Sequence, residues 1–319
     1  MTDISKIRIS LAPMQGFSDV IYRSAISKIG GIDSFYAPYI KVENESIKPK
    51  SLADIAPEAN DGIVVVPQVM ANKATDILQV ADAVKAMGYS ELNWNLGCPF
   101  PMVAKRRLGA GLLPYTEVIE SILTEVEAQS DVALSVKMRL GYLSADEIWP
   151  VLDVLNNHRI KEIIVHPRIG KQMYNGEADR SILPTIIEKS VHPVAFNGDI
   201  RTAEQARSLI TENPTISHLM IGRGLLCNPF LASQIKGTEP NKFIKRNQLM
   251  NFVGTIAERQ LDRLQGAGHF LQKMTTYWEY WSQMFADAHR ALKTVKKCHT
   301  IEEYTDKVQD MVLGWELVI

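Results

Sequence analysis

The chain reads as an α/β protein, a (β/α)8 TIM barrel with a C-terminal all-helical bundle, and three observations lead there. Through the first two-thirds of the sequence, short β-rich runs alternate with amphipathic stretches of helical length, the pattern of a parallel α/β fold. Eight strand candidates fall within about 230 residues, close to the ~250 typical of a (β/α)8 barrel. Beyond Lys236 no convincing strand follows and only helical periodicity continues. A doubly wound open sheet is the competing arrangement. No GxGxxG follows the first strand, however, which argues against a Rossmann domain.

In chain order the predicted strands are Ile7–Ala12, Ser34–Ile40, Ile63–Met70, Glu91–Asn95, Val132–Met138, Glu162–His166, Pro193–Asn197 and His218–Ile221. Helices are predicted between them at Asp19–Ile29, Lys73–Met87, Tyr115–Ala128, Ala145–Asn156 and Ala203–Glu212. Gly237-Thr238-Glu239-Pro240 reads as a linker, since Gly and Pro punctuate regular structure. It divides a catalytic barrel at 1–236 from a helical domain at 241–319, with helices expected at Lys242–Leu264, Leu271–Ala286, His289–His299 and Ile301–Val312.

The composition, 46% hydrophobic and 22% charged over 319 residues, is that of a globular protein with room for one large domain and a small one. The longest apolar runs, such as Ile63-Val64-Val65-Val66, are strand-length, so no spanning helix is expected. The N-terminus lacks the basic and apolar regions of a secretion signal. The three cysteines, Cys98, Cys227 and Cys298, are far apart and form no CxxC. They support neither a disulfide framework nor a structural zinc site. The seven histidines lack ligand spacing. A cytoplasmic, metal-free protein is expected, with no membrane partner. Net charge is −1, yet residues 241–297 hold ten Lys and Arg against four acids. A basic segment in a neutral chain is the footprint of a phosphate-facing patch or of a solvated helical surface.

Chemistry in this barrel class lies at the carboxyl ends of the strands, and polar residues gather there. Period-two alternation puts Leu92, Trp94 and Leu96 on one face of strand four and Asn93 and Asn95 on the other. Strand five sets Ser135, Lys137 and Arg139 opposite Leu134, Val136 and Met138. An inward Lys is costly without an anion or polar ligand. Strand one ends in Pro13-Met14-Gln15-Gly16, strand three in Pro67-Gln68, and strand six in His166-Pro167-Arg168. Asn197-Gly198-Asp199 and Gly222-Arg223-Gly224 follow strands seven and eight, the usual phosphate position of these barrels. A phosphorylated planar cofactor such as FMN fits both the glycine loops and the cationic Lys137.

Taken together the motifs resemble those of the tRNA-dihydrouridine synthases of bacteria. They are Leu11-Ala12-Pro13-Met14-Gln15-Gly16 with Asp19 and Arg23, Asn95-Leu96-Gly97-Cys98-Pro99 with Gly109-Ala110-Gly111, and Ser135-Val136-Lys137-Met138-Arg139. Further along come Val165-His166-Pro167-Arg168, Tyr174-Asn175-Gly176, Asn197-Gly198-Asp199 and Ile221-Gly222-Arg223-Gly224, in the family's order over nearly the whole barrel. The resemblance implies flavin-dependent reduction of a tRNA uridine to 5,6-dihydrouridine, with NADPH or NADH as reductant; a monomer is expected. It implies that Pro13, Met14, Gln15, Gln68, Lys137, His166, Asn197, Gly198, Asp199, Gly222 and Arg223 hold FMN. Asn95, Arg139 and Arg168 would border the flavin and the uracil. Cys98 would give the proton to C5 after hydride reaches C6. Lys273 and the cluster Lys293, Lys296 and Lys297 are the expected contacts to the tRNA body.

The chain departs from the family in two places. Met102 stands before Val103 where relatives often have a basic or hydroxyl residue, with charge returning at Lys105-Arg106-Arg107. Strand two runs into Ala37-Pro38-Tyr39 where Thr-Glu is common. The alternative is a small-molecule FMN oxidoreductase of the dihydroorotate dehydrogenase type, which needs no basic helical appendage.

Overall fold

A computed structural model describes residues 4–319. Met1–Asp3, the start of the expected barrel and of the stretch without a secretion signal, lie outside the described residues. Eight parallel strands form the barrel: β1 Arg8–Leu11, β2 Ser34–Tyr36, β3 in two pieces (Val65–Val66 and Gln68–Val69), β4 Glu91–Leu96, β5 Ala133–Gly141, β6 Ile160–Ile169, β7 Val194–Asn197 and β8 His218–Ile221. Pro67 splits β3 because it has no N–H to give the ladder. The first piece pairs with β2 and the second with β4, so the ring of strands closes through the proline. The Pro67 carbonyl still accepts from the Asn93 amide at 2.9 Å. Strand β2 is shorter than its predicted span for a related reason: Pro38 interrupts it, and the chain rejoins the sheet only at a bridge from Ile40 to Val69. Strands β5 and β6 run longer than expected, the latter through Pro167 to Ile169.

The helices fall near their predicted positions, with short ones added that the sequence pattern did not reveal, among them Pro49–Asp54, Pro101–Ala104, Leu183–Lys189 and Leu231–Lys236. Several ends are set by local chemistry. Asp19 caps helix Val20–Ser27 by accepting from the Tyr22 amide, and Thr202 with Gln205 makes a capping box for Ala203–Glu212. Gly237 ends Leu231–Lys236 in the left-handed region at φ 70°, where a side chain would be strained.

Alternation on the strands sorts the barrel into two environments. Trp94 is fully buried between β4 and the outer helices, its indole N–H on the Ala71 carbonyl at 3.0 Å. Inside, a polar floor takes part of the space that branched apolar layers usually fill. Ser10, Ser34, His218 and Glu162 bond to one another there, and Arg8 closes on Glu162. A small apolar layer of Ala12, Tyr36, Val66, Ile164, Ala195 and Met220 lies in the same interior.

Four helices follow the barrel, Lys242–Arg263, Ala267–Trp281, Ala288–Lys296 and Ile301–Gly314. On the second, Phe270, Met274, Tyr277, Trp278 and Trp281 are buried, a helical stripe of large side chains. This stripe meets the barrel directly. Tyr22 on the first barrel helix packs edge-on to Phe252 at 5.5 Å and stacks on Tyr277 at 5.8 Å, and Tyr277 stacks on Trp281 at 4.9 Å. One hydrophobic core therefore runs from β1 and β8 into the helical region. No described helix is long and apolar enough to cross a membrane.

Arg23 anchors the side of the barrel where the two parts meet. Its side chain is fully buried, paired with Asp54 at 2.9 Å and bonded to Asn60 Oδ1 and to the Ser18 carbonyl. Truncation would leave a carboxylate and an amide without their shared donor. Arg23→Ala should therefore cost about 2–3 kcal/mol, at the low end for a broken pair because Asp54 keeps some solvent; urea unfolding of the two proteins side by side checks this.

Candidate active site

A cavity of about 380 Å³ opens at the carboxyl ends of the strands, a volume suited to a small-molecule cofactor or substrate. The loop after β1 supplies Pro13, Met14 and Gln15, and β4 with its loop supplies Asn95 and Cys98. Lys137 and Arg139 enter from β5 and His166 from β6. Asn197, Gly198 and Asp199 follow β7, while Gly222 and Arg223 follow β8. The structure thus brings thirteen of the expected site residues to one cavity.

Three others lie elsewhere, each for a visible reason. Gln68 was expected at the cofactor but is fully buried beneath the cavity, where it bonds Asn93 and Asn95. Arg168, expected beside the flavin and uracil, is 2% exposed and turns behind the wall to pair with Asp199. Lys273 lies outside the cavity, its ammonium on the Gly16 carbonyl and 4.4 Å from the Tyr277 ring centre. The basic segment around it is partly engaged within the molecule as well. Arg246 bonds the Val312 and Trp315 carbonyls, Arg263 pairs with Asp19, and Lys245 pairs with Glu239. Lys293, Lys296 and Lys297 remain exposed.

Asn95 organises the cysteine loop. Its Oδ1 accepts from the amides of Gly97 and Cys98, each at 3.0 Å. Its Nδ2 donates to Gln68 Oε1 at 2.8 Å, Gln68 Nε2 donates to Asn93 Oδ1 at 2.7 Å, and Asn93 Nδ2 donates to Ser135 Oγ at 2.9 Å. Ser135 then donates to the Glu91 carboxylate at 2.8 Å. The chain of donors runs in one direction, from the Cys98 amide down to a carboxylate at the barrel floor. From the other side Gly109, at φ 57°, lies so close that an added Cβ would stand 2.7 Å from that of Cys98. The cysteine is held between the two. Burial pushes its thiol above the ordinary range, outweighing the amide hydrogen bond and the charges of Lys41, Arg139 and Lys137. At neutral pH it keeps its proton.

Lys137 faces the opposite constraint. Among the described residues no hydrogen bond or ion pair meets its ammonium. Burial, with Arg139 adding repulsion, lowers its pKa to about 7. His166 is driven well below its ordinary value by burial first and then by Lys137, Arg139, Arg168 and Arg223. It is neutral, and its Nε2 accepts from Arg168 Nη1 at 3.1 Å, so its own proton sits on Nδ1.

The loops after β7 and β8 are built tightly around one carboxylate. Asp199 adopts φ 43°, which an Asp tolerates better than most residues. There it takes Arg168 and Arg223 as ion-pair partners and the Ala178 amide as donor. Burial raises its pKa, but the bonds from Arg168 and Ala178 and the charges of Arg168 and Arg223 outweigh that and hold the carboxyl below its ordinary value. A side chain at Gly224 would run into the Ile200 carbonyl at 2.1 Å, and one at Gly222 would press on Met14 and Ala12. These glycines bring the two loops and the loop after β1 into close contact, leaving backbone rather than side chain at the cavity wall. Such a wall, beside an unpaired Lys137, could hold a planar ligand bearing a phosphate. Among the described residues no group of three His, Cys, Asp or Glu is placed to hold a metal ion.

The cavity also contains aromatic residues to which the sequence reasoning gave no site role. Tyr174, on the loop after β6, lies 4.8 Å from the Arg223 guanidinium and 5.3 Å from that of Arg139. Phe17, Tyr39 and Phe100 line it as well, and Tyr280 reaches it from the second C-terminal helix. Tyr280 meets Phe17 edge-on at 5.2 Å. Its only sequence signal was a place beside the buried stripe of its helix, which does not reveal what it faces.

The fold and site define a parallel-barrel enzyme whose cavity pairs a protonated cysteine with a cationic, glycine-walled recess. Comparison with known proteins identifies the family: a dihydrouridine synthase family model matches residues 10–313, and the chain belongs to that family. A tRNA-dihydrouridine(16) synthase of Pseudomonas syringae pv. tomato is 31% identical over 241 residues, covering 73% of this chain and 76% of its own. A tRNA-dihydrouridine(16) synthase of Neisseria meningitidis serogroup B is 29% identical over 322 residues, covering 98% and 95%. A probable tRNA-dihydrouridine synthase 2 of Bacillus subtilis is 28% identical over 227 residues, covering 69% of each. Among solved structures, a 2-naphthoyl-CoA reductase complex superposes with a TM-score of 0.56 at 10% identity, over 73% of this chain and 50% of that one. Histamine dehydrogenase from Rhizobium sp. 4-9 gives 0.54 at 10%, over 78% and 49%. This chain spans about half the length of either, and the likeness is one of fold.

The directed hydrogen-bond chain beneath Cys98 gives a testable consequence. Gln68→Leu keeps the volume but leaves Asn93 Oδ1 and Asn95 Nδ2 without their partner in a buried interior, which should cost about 1–3 kcal/mol. It should also loosen the Cys98 loop, so that the thiol reacts faster with iodoacetamide than in the parent protein at equal pH. Equal alkylation rates would show that Asn95 holds the loop without Gln68.

Proposed function

We propose that the protein reduces a uridine of tRNA to 5,6-dihydrouridine, using FMN reduced by NADPH or NADH. The observation that carries this reading is a protonated Cys98 held beside Asn95 in a cavity whose opposite wall is cationic and rich in glycine. Family membership supports the same reaction. The fit to FMN rests on the unpaired ammonium of Lys137 and on the close backbone at Gly198 and Gly222. Held there, FMN would supply the hydride for C6 of the uracil. Lys137 would meet the electron-rich edge of the ring, and the loops of Gly198 and Gly222 with Arg223 would take the phosphate. Arg168 would act indirectly, by fixing Asp199 and thereby Arg223.

Protein residues account for the remaining half of the reaction. Hydride arrival at C6 leaves an enolate that needs a proton at C5. Cys98 holds one at Sγ, and a thiol whose pKa lies above the ordinary value is almost wholly protonated at neutral pH. The uridine must leave its stack to reach this depth, at a cost of a few kcal/mol, which contacts to the tRNA body would offset. Lys293, Lys296 and Lys297 on the helical region are the proposed phosphate contacts; Lys273 would act at the junction with the loop after β1. Uridine 16 is the proposed target, because the Pseudomonas and Neisseria relatives are named for that position.

Two measurements test the reading. Cys98→Ala should retain FMN and its reduction by NADPH while dihydrouridine formation falls by ~10²–10⁴-fold, the usual worth of a general acid. Nucleoside mass spectrometry with position mapping reads both yield and site, and near-parental yield would remove Cys98 from the mechanism. The second concerns protons. With a pKa of about 7, Lys137 is mostly neutral at pH 8, and an anionic ligand that favours the ammonium raises that pKa. Binding of FMN to the apoprotein at pH 8 should then take up most of one proton, and at pH 6 almost none at this site. Calorimetric titration in two buffers of different ionisation enthalpy measures the uptake, which Lys137→Met should abolish.

A further inference from the structure

Beside the catalytic cysteine stands a feature that the reaction does not explain. Phe100 lines the cavity, yet is 52% exposed, and Met102 two residues on is 83% exposed. Neighbouring apolar side chains that open to water at a cavity mouth mark a place where a ligand or partner docks. Phe100 is also held rigid. It lies between Pro99 and Pro101, at φ −57° and ψ 130°, the extended conformation that a following proline demands. Its carbonyl accepts from the amides of Val103 and Ala104, both at 2.9 Å. Ala104 in turn presses on Gly111, where an added Cβ would stand 2.5 Å from the Ala104 backbone. The ring is thus displayed from a fixed base rather than from a mobile loop.

The surroundings indicate what covers it. Lys105 and Arg106 are exposed directly after this short helix. Lys41 is near enough for its charge to act on the Cys98 thiol, and Lys41 and Arg106 both act on Glu43. An exposed aromatic ring edged by cations is the chemistry by which proteins take hold of unpaired RNA, stacking a base and meeting the flanking phosphates. Resting on the tRNA reading above, we infer that Phe100 is the platform on which the nucleobase next to the target uridine stacks, with Met102 extending the apolar step and Lys105 and Arg106 taking phosphates. This replaces part of the stacking that the neighbouring base loses when the uridine turns into the cavity. Phe100 is a positioning residue in this scheme, since it touches the neighbour and not the reacting base.

Steady-state formation of dihydrouridine on an unmodified tRNA transcript, compared for the parent enzyme, F100A, F100L and F100W, tests the inference. F100A should lower kcat/KM for tRNA by about 10- to 100-fold, the usual worth of one base–aromatic stack, with the loss mainly in KM and the FMN content kept. F100W should restore kcat/KM and F100L, apolar but unable to stack, should not. An active parent whose F100A variant keeps its kcat/KM, or a Leu that rescues as well as a Trp, overturns the platform. So does a change confined to the rate at which oxygen consumes the reduced flavin, which would make Phe100 a cover for the cofactor. A parent that binds flavin but forms no dihydrouridine on any tRNA overturns the functional reading itself.

Discussion

The site depends on a single chain of hydrogen bonds that runs through the interior of the barrel. From the amides of Gly97 and Cys98 the donors point inward through Asn95, Gln68, Asn93 and Ser135, and end on the Glu91 carboxylate. Bonds arranged head to tail polarise one another, and a low-dielectric interior strengthens each. The same interior makes any missing member expensive. Glu91 is steadied by Lys161 from β6, two strands along, so the end of the chain is itself anchored. The cavity rim thereby inherits the rigidity of the strands, although the cysteine sits on a loop.

Around that fixed point the electrostatics divide into two halves. On the cysteine side burial dominates and favours the neutral thiol. On the other side Lys137, Arg139, Arg168 and Arg223 gather around a neutral His166, with the Asp199 carboxylate facing two of the arginines. Four cations within one barrel mouth repel each other, and Asp199 offsets only part of that. The depressed pKa of Lys137 comes first from burial, to which Arg139 adds repulsion. A ligand with negative charge relieves it, which is why the protein can hold a ready proton and a ready countercharge within one small cavity.

Much of this was legible in the sequence because the barrel converts spacing into direction. Alternation on β4 and β5 correctly assigned Trp94 to the outside and Asn95 and Lys137 to the inside, since a strand has no other choice. The loop motifs after β1, β7 and β8 met at one place because parallel strands all end at the same face. Depth was harder to read. Gln68 and Asn95 both point inward, but spacing along a strand does not give depth, and Gln68 is fully buried while Asn95 lines the cavity. Arg168 turned behind the wall because Asp199, thirty-one residues away, offers a carboxylate there. The lysines and arginines of the helical region counted equally in the charge balance, whereas Arg246 and Arg263 are engaged by partners at distant positions in the chain. Tyr280 could not have been placed at all without the packing of its helix on the loop after β1.

That packing has a consequence for how such a protein can be cut and recombined. The seam between barrel and helical region is a continuous aromatic stack, Tyr22 to Tyr277 to Trp281, with Phe252 beside it. Phe17 and Tyr280 carry the seam to the edge of the cavity. The helical region is therefore part of the cavity wall as well as a neighbour of it. A barrel ended at the Gly237 linker would bare this seam to water and lose one side of its own cavity. Exchange of helical regions between relatives succeeds only if the barrel's Phe17 and Tyr22 travel with the helix they fit. The packing of the helical region and the shape of the cavity would then change together, because one row of rings joins them.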